Sequence, residues 1–162
     1  MRKEKQKNMQ RIIEILTNKN KTISTMESCT GGALASKVTD IEGASEILKF
    51  SAVTYSNEYK IKMGVDPHII DEYSVYSKET SIEMAHNIAA FANSNYGVGI
   101  TGKLNRVDKH NPFGEDNKVF ICIYDKDNNQ DYLLEVLATE KSRKDNKELV
   151  INEVIKKLLE II

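Results

Sequence analysis

The sequence predicts an α/β fold: a single domain over residues 1–162, layered α/β/α around a mixed sheet that ends in an antiparallel hairpin. Three observations predict it. Helix-period and strand-period runs alternate through roughly the first two thirds of the chain, the pattern of strands covered by helices. Two strand-suited runs, Val119 to Tyr124 and Tyr132 to Leu137, flank Asp125-Lys-Asp-Asn-Asn-Gln130, so they should pair antiparallel. The tail from Ser142 carries Leu149, Val150, Val154, Ile155, Leu158 and Ile162 at helical intervals, enough for a long helix across the sheet.

Taken in order, Met9, Ile12, Ile13 and Leu16 recur at helical spacing and predict an amphipathic helix over residues 4–19. A strand follows at 22–26, then a glycine turn and a helix ending near Val38. Asp40-Ile-Glu-Gly43 breaks the chain, Ala44 to Leu48 reads as a short helix, and Phe50 to Tyr55 alternates as a strand leading into Ser56-Asn57-Glu58-Tyr59-Lys60. Gly64 and Asp66-Pro67 mark turns before one or two helical turns at 67–73. Ser77 caps a helix running to about Asn93, with Ile82, Ala85, Ala89 and Ala92 expected toward the core. Tyr96 to Thr101 reads as a buried strand ending at Gly102, and a polar loop spans Lys103 to Asn117. His86, inside the long helix, reads as a structural histidine.

Composition narrows the function. With 162 residues, 40% hydrophobic and 29% charged, the chain has the makings of a folded core, and no apolar run is long enough to span a bilayer. The basic N-terminal segment lacks the apolar stretch of a secretory signal, so a cytoplasmic location is expected. A net charge of −1 argues against a nucleic-acid surface, which needs concentrated positive charge. Cys29 and Cys122 lack metal or redox spacing, and His68, His86 and His110 offer no i,i+4 pair. Neither a metal nor a cofactor is expected.

The chemistry concentrates at Glu27-Ser28-Cys29-Thr30-Gly31-Gly32, where strand passes to helix. Three nucleophile-capable side chains stand in the turn, two glycines permit close approach, and the amides of a first helical turn favour an anion or a developing oxyanion. The same residues also fit an ordinary helix start, with Ser28 or Thr30 satisfying orphan donors.

The motif, with Thr39-Asp40-Ile41-x-Gly43-Ala44-Ser45, Val53-Thr54-Tyr55-Ser56-Asn57-Glu58-x-Lys60, Glu83-Met84-Ala85 and Ile100-Thr101-Gly102, resembles the C-terminal domain family of competence-damage-inducible protein A. The resemblance spans residues 8 to 160. It implies an amidohydrolase that removes ammonia from the carboxamide of nicotinamide mononucleotide, leaving nicotinate mononucleotide. By position, Ser28 becomes the nucleophile, Lys60 its base and Tyr55 a hydrogen-bonding partner. Such a base must be neutral part of the time, so its pKa should fall from about 10.4 toward ~7–8. Cys29 is the reserve nucleophile, on the ground that a thiol at a helix start can have a lowered pKa.

Substrate contacts implied or inferred from this alignment are Cys29, Thr30, Gly31, Gly32, Asn57, Thr101, Gly102, Lys103, Arg106 and Lys141. The chain departs from the family pattern after Thr101-Gly102-Lys103, where Leu104-Asn105-Arg106 replaces an Ala-Gly-Pro stretch. It departs again where a Gly-Asp-Arg-x-x-x-Arg pattern, aligned on Thr139 to Asp145, leaves Lys141 and Asp145 at the arginine positions. Lys103, Arg106, Lys141 or Arg143 would then supply the missing charge, with Lys103 and Arg106 expected to point into the site rather than into solvent. The resemblance also implies a small homo-oligomer, a nucleotide substrate, and no membrane or nucleic-acid partner. The alternative from another class is a catalytically degenerate homologue that binds a nucleotide or a partner protein without turnover.

Overall fold

A computed structural model describes residues 1–105 and 117–162. Helix α1 (Arg2–Asn18) leads into β1 (Ile23–Glu27), then α2 (Ala33–Thr39), a 3-10 turn at Ala44–Glu46 and β2 (Leu48–Val53). Helices α3 (Asn57–Lys62), α4 (Pro67–Tyr73) and α5 (Lys78–Ala92) precede β3 (Tyr96–Gly102). The hairpin strands β4 (Lys118–Asp125) and β5 (Gln130–Leu137) and helix α6 (Arg143–Ile161) complete the described chain.

The sheet order is β2-β1-β3-β4-β5. Strands β1, β2 and β3 run parallel, while β4 and β5 are antiparallel to their neighbours, so the sheet is mixed as the alternation and the late hairpin predict. Alternation along β3 explains the layers. Val98 and Ile100 join the core beneath α1, α2 and α6, whereas Gly97 and Gly99 face α5. A Cβ on Gly97 would stand 2.2 Å from the Ala85 carbonyl oxygen, and one on Gly99 would stand 2.3 Å from that of Ser81. The helix therefore lies directly on strand backbone, a separation only glycine permits.

That close approach rotates α5 relative to the predicted face. Thr80, Ser81, Met84, Ala85, Ile88 and Ala89 are buried, while Ile82 and Ala92 sit at the margin. Around β2 the structure also differs from local expectation. The strand begins at Leu48, which aligns with Ile23 of β1, so long-range pairing takes a residue that periodicity assigns to a helix. It ends at Val53, and what reads as a polar strand end is helix α3, capped by Ser56, whose hydroxyl accepts from the Tyr59 amide.

The predicted loop 103–117 falls mostly on residues 106–116, outside the described residues, and so does the expected phosphate contact Arg106. No described helix is long and apolar enough to cross a membrane.

Candidate active site

Parallel strands deliver their carboxyl ends to one edge of the sheet, where loops from neighbouring strands converge. Glu27, the last residue of β1, aligns with Val53 of β2 and Ile100 of β3. One residue later, Ser28 is pinned by its backbone. Its amide donates to the Ile100 carbonyl at 2.9 Å, and its own carbonyl accepts from the Gly31 amide at 2.9 Å. Gly31 and Gly32 hold φ of 61° and 95°, left-handed values that bring the turn into α2 without a Cβ penalty.

Lys60 approaches from α3 and is 2% exposed. Its Nζ donates to Ser28 Oγ at 2.9 Å and to the Thr54 carbonyl at 2.7 Å. Thr54 in turn donates its amide to the Glu27 carbonyl at 2.8 Å, so Lys60 and the Ser28 turn share a backbone frame. A buried lysine against a buried serine hydroxyl is an unusual pairing, because a lysine amine is nearly always left in water. No sequence signal points to the Thr54 carbonyl, since a main-chain acceptor is blind to residue type.

The start of α2 is arranged differently from the sequence-based expectation of an open anion site. The buried Glu27 carboxylate already accepts from the Leu34 amide at 3.0 Å, from the Ala35 amide at 3.1 Å and from the Thr30 hydroxyl at 2.6 Å. Thr30 is thus committed to Glu27 rather than presented to a ligand. The amides of Cys29 and Thr30 follow Ser28 directly, and neither donates to a main-chain carbonyl among the described residues.

Cys29 is 5% exposed, and burial pushes its thiol up to about 12, with Glu27 adding to the rise and Lys60 and Arg143 opposing it. The expected lowering is reversed, because desolvation of a thiolate outweighs the neighbouring cations. A thiol held in its protonated form lacks the activation that the reserve role assumes.

Tyr55 is 65% exposed, and its hydroxyl accepts from Arg143 Nη2 at 3.4 Å instead of meeting Lys60. The other guanidinium arm donates to the Leu104 carbonyl. Four residues on, Lys147 reaches the glycine turn: its Nζ would lie 3.5 Å from a Cβ placed on Gly31. Arg143 and Lys147 therefore stand one helical turn apart on the side of α6 that meets the turn. The basic-x-x-x-basic spacing sought at Lys141 and Asp145 is met two residues later, with lysine in the second place. Sequence reasoning named Arg143 only among alternatives and missed Lys147, although the i,i+4 spacing at a predicted helix start was there to read.

The remaining candidates are described by contacts of their own. The Thr101 hydroxyl donates to the Val75 carbonyl at 2.9 Å, and Gly102 backs directly onto the backbone of Lys118 and Val119. Lys103 is 3% exposed with its Nζ 5.0 Å from the Tyr76 ring centre, so it is not a solvated loop lysine. Lys141 is exposed and contributes a carbonyl to Asn105. Asn57 is half-buried in the first turn of α3.

Comparison with known proteins gives a consistent picture. Residues 5–162 match the model of the CinA C-terminal domain. A competence-damage inducible protein of Caldanaerobacter subterraneus subsp. tengcongensis is 45% identical over 92 residues, which are 56% of this chain and 22% of that protein. One of Thermoanaerobacter pseudethanolicus is 44% identical over 96 residues, 58% of this chain and 23% of that protein. The chain thus aligns with less than a quarter of the length of these curated relatives. Among solved structures, competence/damage inducible protein CihA from Agrobacterium tumefaciens superposes with a TM-score of 0.86 at 25% identity, covering 96% of this chain and 93% of that one. A CinA superfamily protein from Escherichia coli gives a TM-score of 0.88 at 21% identity, covering 98% and 90%.

Proposed function

The chain belongs to the CinA C-terminal domain family, and we propose that it is an amidohydrolase that converts nicotinamide mononucleotide into nicotinate mononucleotide and ammonia by a serine-lysine mechanism. The observation that carries this reading is the 2.9 Å contact between Lys60 Nζ and Ser28 Oγ, both side chains being buried. A general base must first lie within hydrogen-bond reach of the proton it takes, and this contact meets that condition.

In the proposed reaction, neutral Lys60 takes the Ser28 proton as Oγ attacks the carboxamide carbon. The tetrahedral oxyanion is met by the Cys29 and Thr30 amides, which supply donors without a side chain. Lys60 then returns the proton to the departing nitrogen, ammonia leaves, and a nicotinoyl ester on Ser28 remains. Water, deprotonated by the same lysine, hydrolyses that ester and restores the serine. The Thr54 carbonyl keeps Nζ aimed at Oγ throughout.

Since Glu27 occupies the first amides of α2, the substrate phosphate is assigned to Arg143 and Lys147. Arg143 presents a planar fork and Lys147 a point charge, so the pair binds less rigidly than two arginines would. Tyr55, exposed beside Arg143, orients that guanidinium rather than acting on the proton.

Release of ammonia from nicotinamide mononucleotide by the purified protein, with nicotinate mononucleotide as the matching product, is the deciding measurement. Saturable binding of the nucleotide with no ammonia would instead make the protein a binding homologue. Self-association is supported by the open edge of the sheet, where Phe50, Val53 and the neighbouring Phe91 of α5 are exposed. A sedimentation experiment returning only the monomer mass would remove that part.

A further inference from the structure

A carboxylate buried to 1% exposure at the root of a nucleophile turn is costly unless it is fully used, and Glu27 is. Oε1 accepts from the Thr30 hydroxyl at 2.6 Å and the Leu34 amide at 3.0 Å, while Oε2 accepts from the Ala35 amide at 3.1 Å. Ser28 and Cys29 are the residues spanned between the carboxylate's own backbone and Thr30. The main chain of Glu27 also accepts from the Thr54 amide at 2.8 Å, and the Thr54 carbonyl holds Lys60. One residue thus ties together the turn that carries the nucleophile, the start of α2 and the segment that aims the base.

We propose that Glu27 is the positioning residue of this site: its carboxylate fixes the Ser28 turn in attacking geometry and, by filling the first amides of α2, leaves the substrate's anion to α6. The inference rests on the amidohydrolase reading and goes beyond it. Charge is part of the argument as well as shape. Two of the three donors are main-chain amides that cannot turn round, so a neutral amide side chain, offering one acceptor oxygen and a donor group, leaves at least one of them facing another donor. An error of a fraction of an ångström in Oγ is felt at the transition state, while a substrate anchored through its phosphate is felt little.

The test compares Glu27→Gln and Glu27→Asp with wild type. For Glu27→Gln we expect kcat on nicotinamide mononucleotide to fall at least tenfold with KM within threefold, and amide hydrogen exchange at Leu34 and Ala35 to quicken at least tenfold. Glu27→Asp keeps the charge on a shorter arm and should fall between Gln and wild type in both readouts. It also serves if the Gln variant does not fold. An unchanged kcat, exchange rates unchanged at Leu34 and Ala35, or an Asp variant no better than Gln would each overturn the proposal. Faster exchange with full kcat would reduce Glu27 to a structural role. Wild-type protein that releases no ammonia would sink the amidohydrolase reading instead, and the exchange rates alone would then decide whether Glu27 holds the turn.

Discussion

Two regions of this molecule hold a nucleophile, a basic side chain and a carboxylate at close quarters, and they differ in the order of the charges. At the sheet's carboxyl edge the Ser28 hydroxyl, the proposed nucleophile, faces Lys60, while the carboxylate of Glu27 is turned away into the start of α2. Under α5, Cys122 of β4 faces Asp131 Oδ1 at 3.7 Å, and the same oxygen meets His86 Nε2 at 2.6 Å. The carboxylate stands between thiol and imidazole. Burial, then Asp131, pushes the Cys122 thiol far up, so it stays protonated, and His86 lies stacked at 3.7 Å on the Tyr124 ring. The same kinds of group can therefore stand with a basic side chain against the hydroxyl or, as in the clip around Asp131, with a carboxylate against the thiol. A carboxylate beside a thiol opposes its ionisation, whereas a base beside a hydroxyl is the order that proton removal needs.

The largest effects should come from breaking the first arrangement. Ser28→Ala should lower turnover by at least ~10³-fold while costing the fold no more than about 0.5–2 kcal/mol, the worth of a turn hydroxyl. Lys60→Arg should be equally dead, because a guanidinium keeps the charge but gives up no proton. Ammonia release and thermal unfolding, measured side by side, check both. Cys122→Ala, the matching change in the second region, should leave turnover intact. A Ser28→Ala protein as active as wild type would end the nucleophile assignment, and an active Lys60→Arg would end that of the base.

The next effect concerns the anion. The double change Arg143→Ala, Lys147→Ala should weaken kcat/KM for nicotinamide mononucleotide by ~1–3 kcal/mol and leave nicotinamide riboside unaffected. An equal loss with both substrates would mean that the two side chains support the turn instead of reading phosphate. Lys141→Ala, exposed and outside the site's described contacts, is the control that should change neither.

How much of this was legible in the sequence depends on whether a feature is periodic or convergent. Strand β1, helix α6 and the hairpin are written in local alternation and spacing, and the structure has them within a residue or two. Ser28 and Lys60 were named through family resemblance, because nothing in their spacing of 32 residues says that two side chains meet. The helix carrying Lys60 was hidden by the strand pattern before it, since Ser56 gains its capping role only once the chain has turned. Least legible was Glu27. A glutamate at a strand end gives no sign that three donors will converge on it.

The second region yields a smaller and purely structural prediction. His86→Ala removes a stacked ring pair and one bond to Asp131 at a partly exposed position. It should cost about 1–2 kcal/mol of stability and nothing in kcat, as read by denaturant unfolding and ammonia release. A loss of turnover without a loss of stability would show that this clip communicates with the edge of the sheet.

The smallest effect is a shared one, and it tests the claim that both thiols are inert for the same reason. Cys29 is pushed from 9.0 up to about 12, and Cys122 moves in the same direction, in each case chiefly by burial. A folded-state pKa above the unfolded one means that the folded chain holds these protons more tightly. Their contribution to stability is complete below pH 9 and is lost as pH rises toward the folded values. By pH 10 the unfolded thiols are mostly ionised while the folded ones are not, so each should cost about 1 kcal/mol. Thermal unfolding followed from pH 8 to 10.5 should show this fall, and Cys29→Ala with Cys122→Ala should flatten it. If Cys122→Ala flattens the curve and Cys29→Ala does not, the thiol beside Ser28 ionises freely in the folded protein. Cys29 would then return as a rival nucleophile, and the contrast between the two regions would rest on Lys60 alone.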